Sequence, residues 1–146
     1  MRVRPLEPKD EADWRRLWAL YLAFYAVDLP AAVTQATWER LMRPGSGVLG
    51  LIAEQDGRVV GLAQAVIHAN TWFPGDICYL EDMIVDEAAR GQGIGHALIS
   101  HLTEQCRANG WGRLYWMTRA DNATARRLYD RFTPADDFVR YRIEVG

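Results

Sequence analysis

The sequence predicts a single α/β domain over residues 1–146, an α+β arrangement on a mixed sheet, from three observations. At 146 residues and 49% hydrophobic, the chain has the size and apolar content of one core. In the first half, apolar runs broken by Asp56-Gly57 and by "NTWFPGD" give successive antiparallel strands. In the second half, a strand, an amphipathic helix and another strand follow one another, the order of a parallel pair joined by a right-handed crossover.

Asp10 to Tyr25 sets Trp14, Leu17, Trp18, Tyr21, Leu22 and Tyr25 at helical spacing, and Pro30 ends the pattern. Thr37 is placed to cap a short helix over Trp38 to Met42, followed by the loop "RPGSG". "VLGLIAE" reads as a strand, "QDGR" as a hairpin turn and "VVGLAQAVIH" as the returning strand. After "NTWFPGD", "ICYLEDMIV" forms a third strand and completes an antiparallel meander. Gly93 to Asn109 carries Ile94, Leu98, Leu102 and Cys106 on one stripe, stops at Asn109-Gly110 and leads into the strand "RLYWMT". "NATARRLYDRF" is a short helix, and "FVRYRIEV" alternates as a closing strand.

Seventeen basic and nineteen acidic residues leave a net charge of -2, so no bulk positive field draws the chain to nucleic acid or to an anionic membrane. No apolar run approaches the roughly 20 residues that span a bilayer, and "MRVRPLEPKDEADW" lacks the apolar segment of a signal peptide. A cytoplasmic protein is the expectation. Cys78 and Cys106 lack the spacing of a zinc or redox motif and read as reduced, half-buried thiols. His68, His96 and His101 lack ligand spacing as well, and no metal is implied.

The chemistry concentrates in "YLEDMIVDEAARGQGIGHALI". A phosphate needs backbone N–H donors at close range, which glycines expose, and a following helix adds the positive end of its dipole. Arg90 to Gly95 has both features, with a guanidinium to add. A Walker loop would continue Gly-Lys-Ser/Thr, whereas these glycines lead to His96. A dinucleotide fingerprint would read Gly-x-Gly-x-x-Gly directly after a first strand, whereas Gly91, Gly93 and Gly95 follow the spacer "DEAAR". Arg90-Gly91-Gln92-Gly93-Ile94-Gly95 resembles the Gln/Arg-x-x-Gly-x-Gly/Ala signature of the GNAT superfamily of N-acetyltransferases, and "NATARRLYDRF" is similar to a later segment of the same family. Leu80-Glu81-Asp82 resembles most the diamine and polyamine acetyltransferase branch and relatives acting on amino acids or basic proteins.

The resemblance implies a mostly antiparallel central sheet flanked by about four helices, with a parallel strand pair splayed around acetyl-coenzyme A. The pyrophosphate would lie on Arg90, Gly91, Gln92, Gly93, Ile94 and Gly95, and the pantetheine arm along the main chain of Met83, Ile84 and Val85. Tyr129 would protonate the leaving thiolate, and Asn122, besides serving as a helix N-cap, would touch the cofactor. An acceptor amine with a pKa near ~10.4 must lose a proton on binding, and Glu81, Asp82 or an intervening water can receive it. Strict strand alternation sets Tyr79, Glu81 and Met83 on one face and Leu80, Asp82 and Ile84 on the other, so that only one carboxylate meets the acceptor unless a bulge intervenes. The resemblance favours Glu81, against the plain alternative of a solvated strand carboxylate.

Tyr25, Asp28, Trp38, Trp72 and Phe73 are candidate walls for the acceptor, because aromatics beside carboxylates suit a cation; each also fits a core or hinge position. The expected reaction is acetyl transfer to a primary amine of a small molecule or peptide, by direct attack in a ternary complex. A non-catalytic acyl-coenzyme A sensor is the other reading. Relatives commonly carry Gly-Phe soon after the tyrosine, whereas this chain reads "YDRFTPADDFVRYRI", so the turn into the last strand departs from the pattern. That departure, with exchange of the last strand between protomers in some relatives, makes a homodimer the expectation.

Overall fold

Five strands hydrogen-bond in the order β1-β2-β3-β4-β5 in the computed structural model, which describes all of residues 1–146. β1 (Arg2–Pro5), β2 (Val48–Gln55), β3 (Arg58–His68) and β4 (Ile77–Val85) are mutually antiparallel, and β5 (Leu114–Tyr115) runs parallel to β4. α1 (Glu11–Phe24) and α2 (Ala31–Met42) cover one face; α3 (Ile94–Asn109) and α4 (Ala123–Tyr129) cover the other.

The period of two along the strands divides the apolar residues between two cores. Ile52, Leu62 and Ile84 meet Trp14, Leu17, Trp18 and Trp38, where tryptophan rings lie 5.3 and 6.1 Å apart. Leu51, Ala53, Ala63, Ala65, Cys78 and Leu80 meet the predicted stripe Ile94, Leu98, Leu102 and Cys106 on α3. Both cysteines are free thiols and buried rather than half-buried, since both belong to the core that this stripe closes. The β2–β3 hairpin turns at Asp56 and Gly57, both at positive φ as a tight two-residue turn requires.

Four sequence expectations are corrected. β1 is an added edge strand, tied down by Arg4, which is buried and donates to both carboxylate oxygens of Asp10 at 2.8 and 2.9 Å and to Glu54. α2 begins at Ala31, because proline is accommodated at a helix start and the alanines and Gln35 sustain the helix. Thr37 is therefore internal, donating to the Val33 carbonyl at 2.9 Å instead of capping. β5 stops at Tyr115, where it diverges from β4. The expected closing strand is absent: residues 138–146 form no ladder, and Tyr141, Ile143 and Val145 are 92, 86 and 93% exposed. Alternation alone does not make a strand, which needs a partner edge, and β5 offers two residues of one.

Candidate active site

The centre of the site is an irregularity in β4. Ala65 of β3 pairs with Leu80 while its neighbour Gln64 pairs with Asp82, so Glu81 is an extra residue without a partner. This bulge resets the alternation. Leu80 and Met83 both pack toward α3, and Ile84 packs toward α1, so the expected sharing of one face by Tyr79, Glu81 and Met83 is corrected. Both carboxylates bear on the hydroxyl of Tyr21 from α1, with Asp82 the stronger influence. Asp82 accepts a hydrogen bond from Gln64 Nε2 at 2.8 Å, and the Trp14 indole donates to Gln64 Oε1 at 2.6 Å.

Burial pushes the Asp82 carboxyl above its ordinary range, against the hydrogen bonds from Gln64 and Tyr21 that favour its ionised form. Glu81 is exposed along its outer edge, yet partial desolvation and then the neighbouring Asp82 charge push its carboxyl up as well. Two carboxylates with raised proton affinity at one point can receive a proton or draw in an ammonium.

Glu81 opens into a cleft lined also by Tyr21 and Tyr25 from α1, Leu80 and Met83 from β4, Trp116 and Met117 beyond β5, and Tyr129 from α4; Asp82 lies behind this lining, against Tyr21. The cleft exists because β4 and β5 separate: past Tyr79 and Tyr115 the ladder ends, leaving the β5-facing edge of Leu80 to Val85 without a strand partner. Met83, Ile84 and Val85 lie along that edge. The Tyr129 hydroxyl is pushed up to about 12 by burial first and by Tyr25 second, and its ring meets Trp116 edge-on at 5.5 Å.

The glycine loop ends at α3 beside this cleft. Gly91 and Gly93 have φ of 76° and 81°, with open space where a Cβ would stand. The amides of Gly91, Gln92 and Gly93 donate to no protein acceptor. The first bond into α3 runs from Ala97 to Gly93, so the amides of Ile94, Gly95 and His96 are also free at the helix start. An open cradle of amides with the positive helix end behind it fits a pyrophosphate. Gly95 serves packing, since a Cβ there would stand 2.9 Å from Leu128 of α4. Arg90 is exposed and donates from Nε to the Val85 carbonyl at 3.1 Å, joining the loop to the end of β4.

Asn122 caps α4, accepting from the Ala125 amide at 3.1 Å. Among the acceptor candidates, Tyr25 reaches the cleft and Asp28 is exposed beyond α1. Trp38 is a core residue packed on Trp14, because α2 turns it inward. Trp72 and Phe73 flank the Arg113 guanidinium at 5.5 and 5.4 Å, at the entry to β5 and away from the bulge. Tyr21, Gln64, Trp116 and Met117 were not expected from the sequence. For Gln64 a signal existed: it is the one polar residue within "VVGLAQAVI". No three His, Cys, Asp or Glu side chains gather as a metal site.

The profile of the Acetyltransferase (GNAT) family matches residues 14–133. The chain belongs to that family. This GNAT protein is 31% identical over 142 residues to the D-amino-acid N-acetyltransferase HPA3 of Saccharomyces cerevisiae, covering 96% of this chain and 88% of the relative. Its fold matches the crystal structure of a probable acetyltransferase with a TM-score of 0.88 at 21% identity, over 100% of this chain and 99% of the other. An aminoglycoside acetyltransferase from an uncultured soil metagenomic sample, in complex with sisomicin, gives 0.83 at 16% identity, over 99 and 96% of the two chains. Those structural likenesses concern the fold alone. Family and relatives make the chain an N-acetyltransferase enzyme, and the splayed parallel pair within a mixed sheet is the GNAT arrangement.

Proposed function

We propose that this N-acetyltransferase takes its acetyl group from acetyl-coenzyme A and delivers it to a cationic primary amine by direct attack in a ternary complex. The observation that carries the reading is the convergence on one cleft of Glu81, with Asp82 directly behind it, of Tyr129 and of the unpaired β4 edge, beside the open amide cradle. When bound, acetyl-coenzyme A supplies an activated thioester carbonyl and a thiol leaving group.

The chain's own residues do the rest. Amides of the Arg90 to Gly95 loop and of the α3 start would bind the pyrophosphate, and the main chain of Met83 to Val85, without a strand partner on the side where β5 diverges, would align the pantetheine arm. An N–H of that edge would supply the donor that stabilises charge developing on the thioester oxygen, an effect often worth roughly 3 kcal/mol. Asp82 and Glu81 draw the ammonium into the aromatic cleft, and Glu81 takes its proton, directly or through water. Tyr129, whose hydroxyl is pushed further up by burial, would offer an O–H donor to the departing sulfur.

The acceptor reading rests on the acidic, tyrosine-lined cleft and accords with the names of two relatives, which act on D-amino acids and on aminoglycosides. The test is release of coenzyme A thiol by purified protein against polyamines, amino acids, aminoglycosides and basic peptides. Saturable release with one amine class supports the proposal and identifies the acceptor; bound acetyl-coenzyme A with no release for any amine overturns it. The homodimer is part of the proposal: the exposed apolar side chains of residues 138–145 are available to a second copy, and light scattering at micromolar concentration reads the mass.

A further inference from the structure

Gln64 is 3% exposed, in the middle of β3, directly opposite Asp82 across the ladder. Its amide has only one workable orientation. The Trp14 indole is purely a donor and takes Oε1 at 2.6 Å, so Nε2 must point the other way, into the Asp82 carboxylate at 2.8 Å. Trp14 is fully buried in the tryptophan core, which fixes the donor that fixes the amide. The bulge then places Glu81 immediately beside the carboxylate so held.

We propose that Gln64 is a positioning residue of the acetyltransferase: locked by Trp14, it holds the Asp82 carboxylate in place behind the cleft and beside Glu81, and so sets how the Asp82–Glu81 pair receives the acceptor ammonium and its proton. The inference rests on the functional reading above. The groups facing Asp82 are Gln64 from β3, Tyr21 from α1, and Glu81 and Tyr79 on β4 itself. Among them Gln64 is the side chain that donates to Asp82 within hydrogen-bond distance, and a second buried contact keeps its amide from turning.

The decisive variant is Gln64→Glu. Its Oε1 still accepts from Trp14, while the atom facing Asp82 changes from donor to acceptor, so a proton must be retained among the introduced carboxyl, Asp82 and Glu81. The acidic limb of kcat/KM should move up by about one pH unit or more, with KM for the amine raised at least about tenfold and coenzyme A affinity within about twofold of the parent. Adding Asp82→Asn restores a donor and acceptor across the pair with their roles exchanged, and should return the limb toward its original position while KM for the amine stays high.

A folded Gln64→Glu protein with an unmoved limb and unchanged KM would overturn the proposal. If that variant fails to fold, Gln64→Met, which fills the volume without a donor, takes the same measurements with the same expected upward shift. Asp82→Asn and Glu81→Gln alone separate the two levels. If both leave the rate unchanged, the functional reading of the carboxylates fails; if they lower it while the Gln64 variants match the parent, only the role of Gln64 fails.

Discussion

Replacing Tyr129 by Phe tests the leaving-group side of the reaction with the least collateral change. The ring stays in its edge-on contact with Trp116 at 5.5 Å, and only the hydroxyl is lost. Because burial raises that hydroxyl to about 12, it remains protonated throughout any workable assay range. A thiol has a pKa near ~8.5, so complete transfer of the phenolic proton to sulfur is uphill, and the contribution is chiefly a hydrogen bond to a sulfur gaining negative charge. Hydrogen bonds to charged groups contribute about 1.5–3 kcal/mol, which converts to a fall in kcat of roughly 10- to 100-fold. Thiol release under saturating acetyl-coenzyme A and amine measures kcat, and calorimetry measures coenzyme A affinity, expected to change less than about twofold. A kcat within about twofold of the parent would refute the assignment; an equal loss in coenzyme A affinity would instead make Tyr129 a binding residue.

Gly93→Val puts a β-branched residue at a φ of 81°, which costs about 1–2 kcal/mol and crowds the amide cradle; coenzyme A affinity should fall at least about tenfold in a protein with native far-UV circular dichroism. Glu81 has its carboxyl held above the ordinary range, so the rate should decline as pH falls through that raised value, and Glu81→Gln should abolish this limb; a limb that persists in the variant assigns it to another group. Asp10→Asn removes the bidentate partner of the buried Arg4 guanidinium and leaves it paired with Glu54, and should cost about 1.5–3 kcal/mol and lower Tm by roughly 3–12 °C. The sign follows from Arg4 holding the Asp10 carboxyl below its ordinary range: the stabilisation is present above about 3.9 and is lost as pH falls through the native value, so parent and variant melts should converge in strong acid.

The sequence made legible those features set by short-range rules. The stripe on α3, the Asp56-Gly57 turn and the glycines before a helix each follow from spacing within a few residues, and each is present in the structure. What escaped depends on partners distant in the chain. β1 is held by Arg4 reaching Glu54, 50 positions away, and no local pattern announces that pairing. The closing segment has the alternation of a strand and no edge to receive it. Trp38, Trp72 and Phe73 resemble Tyr25 as aromatic candidates, and only the packing of α2 and the Arg113 contact separate them from the cleft. The bulge belongs to the same group: "YLEDMI" reads as a regular strand, and the extra residue becomes visible only in register against β3.

That single extra residue explains why two adjacent carboxylates can serve one site. In a regular strand, neighbouring side chains point to opposite faces, and either Glu81 or Asp82 would be driven into the α3 core, at the desolvation cost of an unpaired buried charge. With Glu81 taken out of the alternation, Asp82 can reach Gln64 and Tyr21 beneath the cleft while Glu81 remains at its open edge. The same strand loses its other neighbour where β5 diverges, so its main chain has no strand partner on that side, where Arg90 of the glycine loop meets only the Val85 carbonyl. One strand therefore carries the acidic acceptor groups through its bulge and the donor-binding edge through its splay. A change that restored regular pairing, such as deletion of Glu81, would remove the carboxylate that lines the cleft and leave Asp82 opposite Gln64, and should abolish acceptor-dependent thiol release while leaving coenzyme A binding at the loop measurable; loss of that binding too would show that the bulge also sets the course of the strand toward the glycine loop.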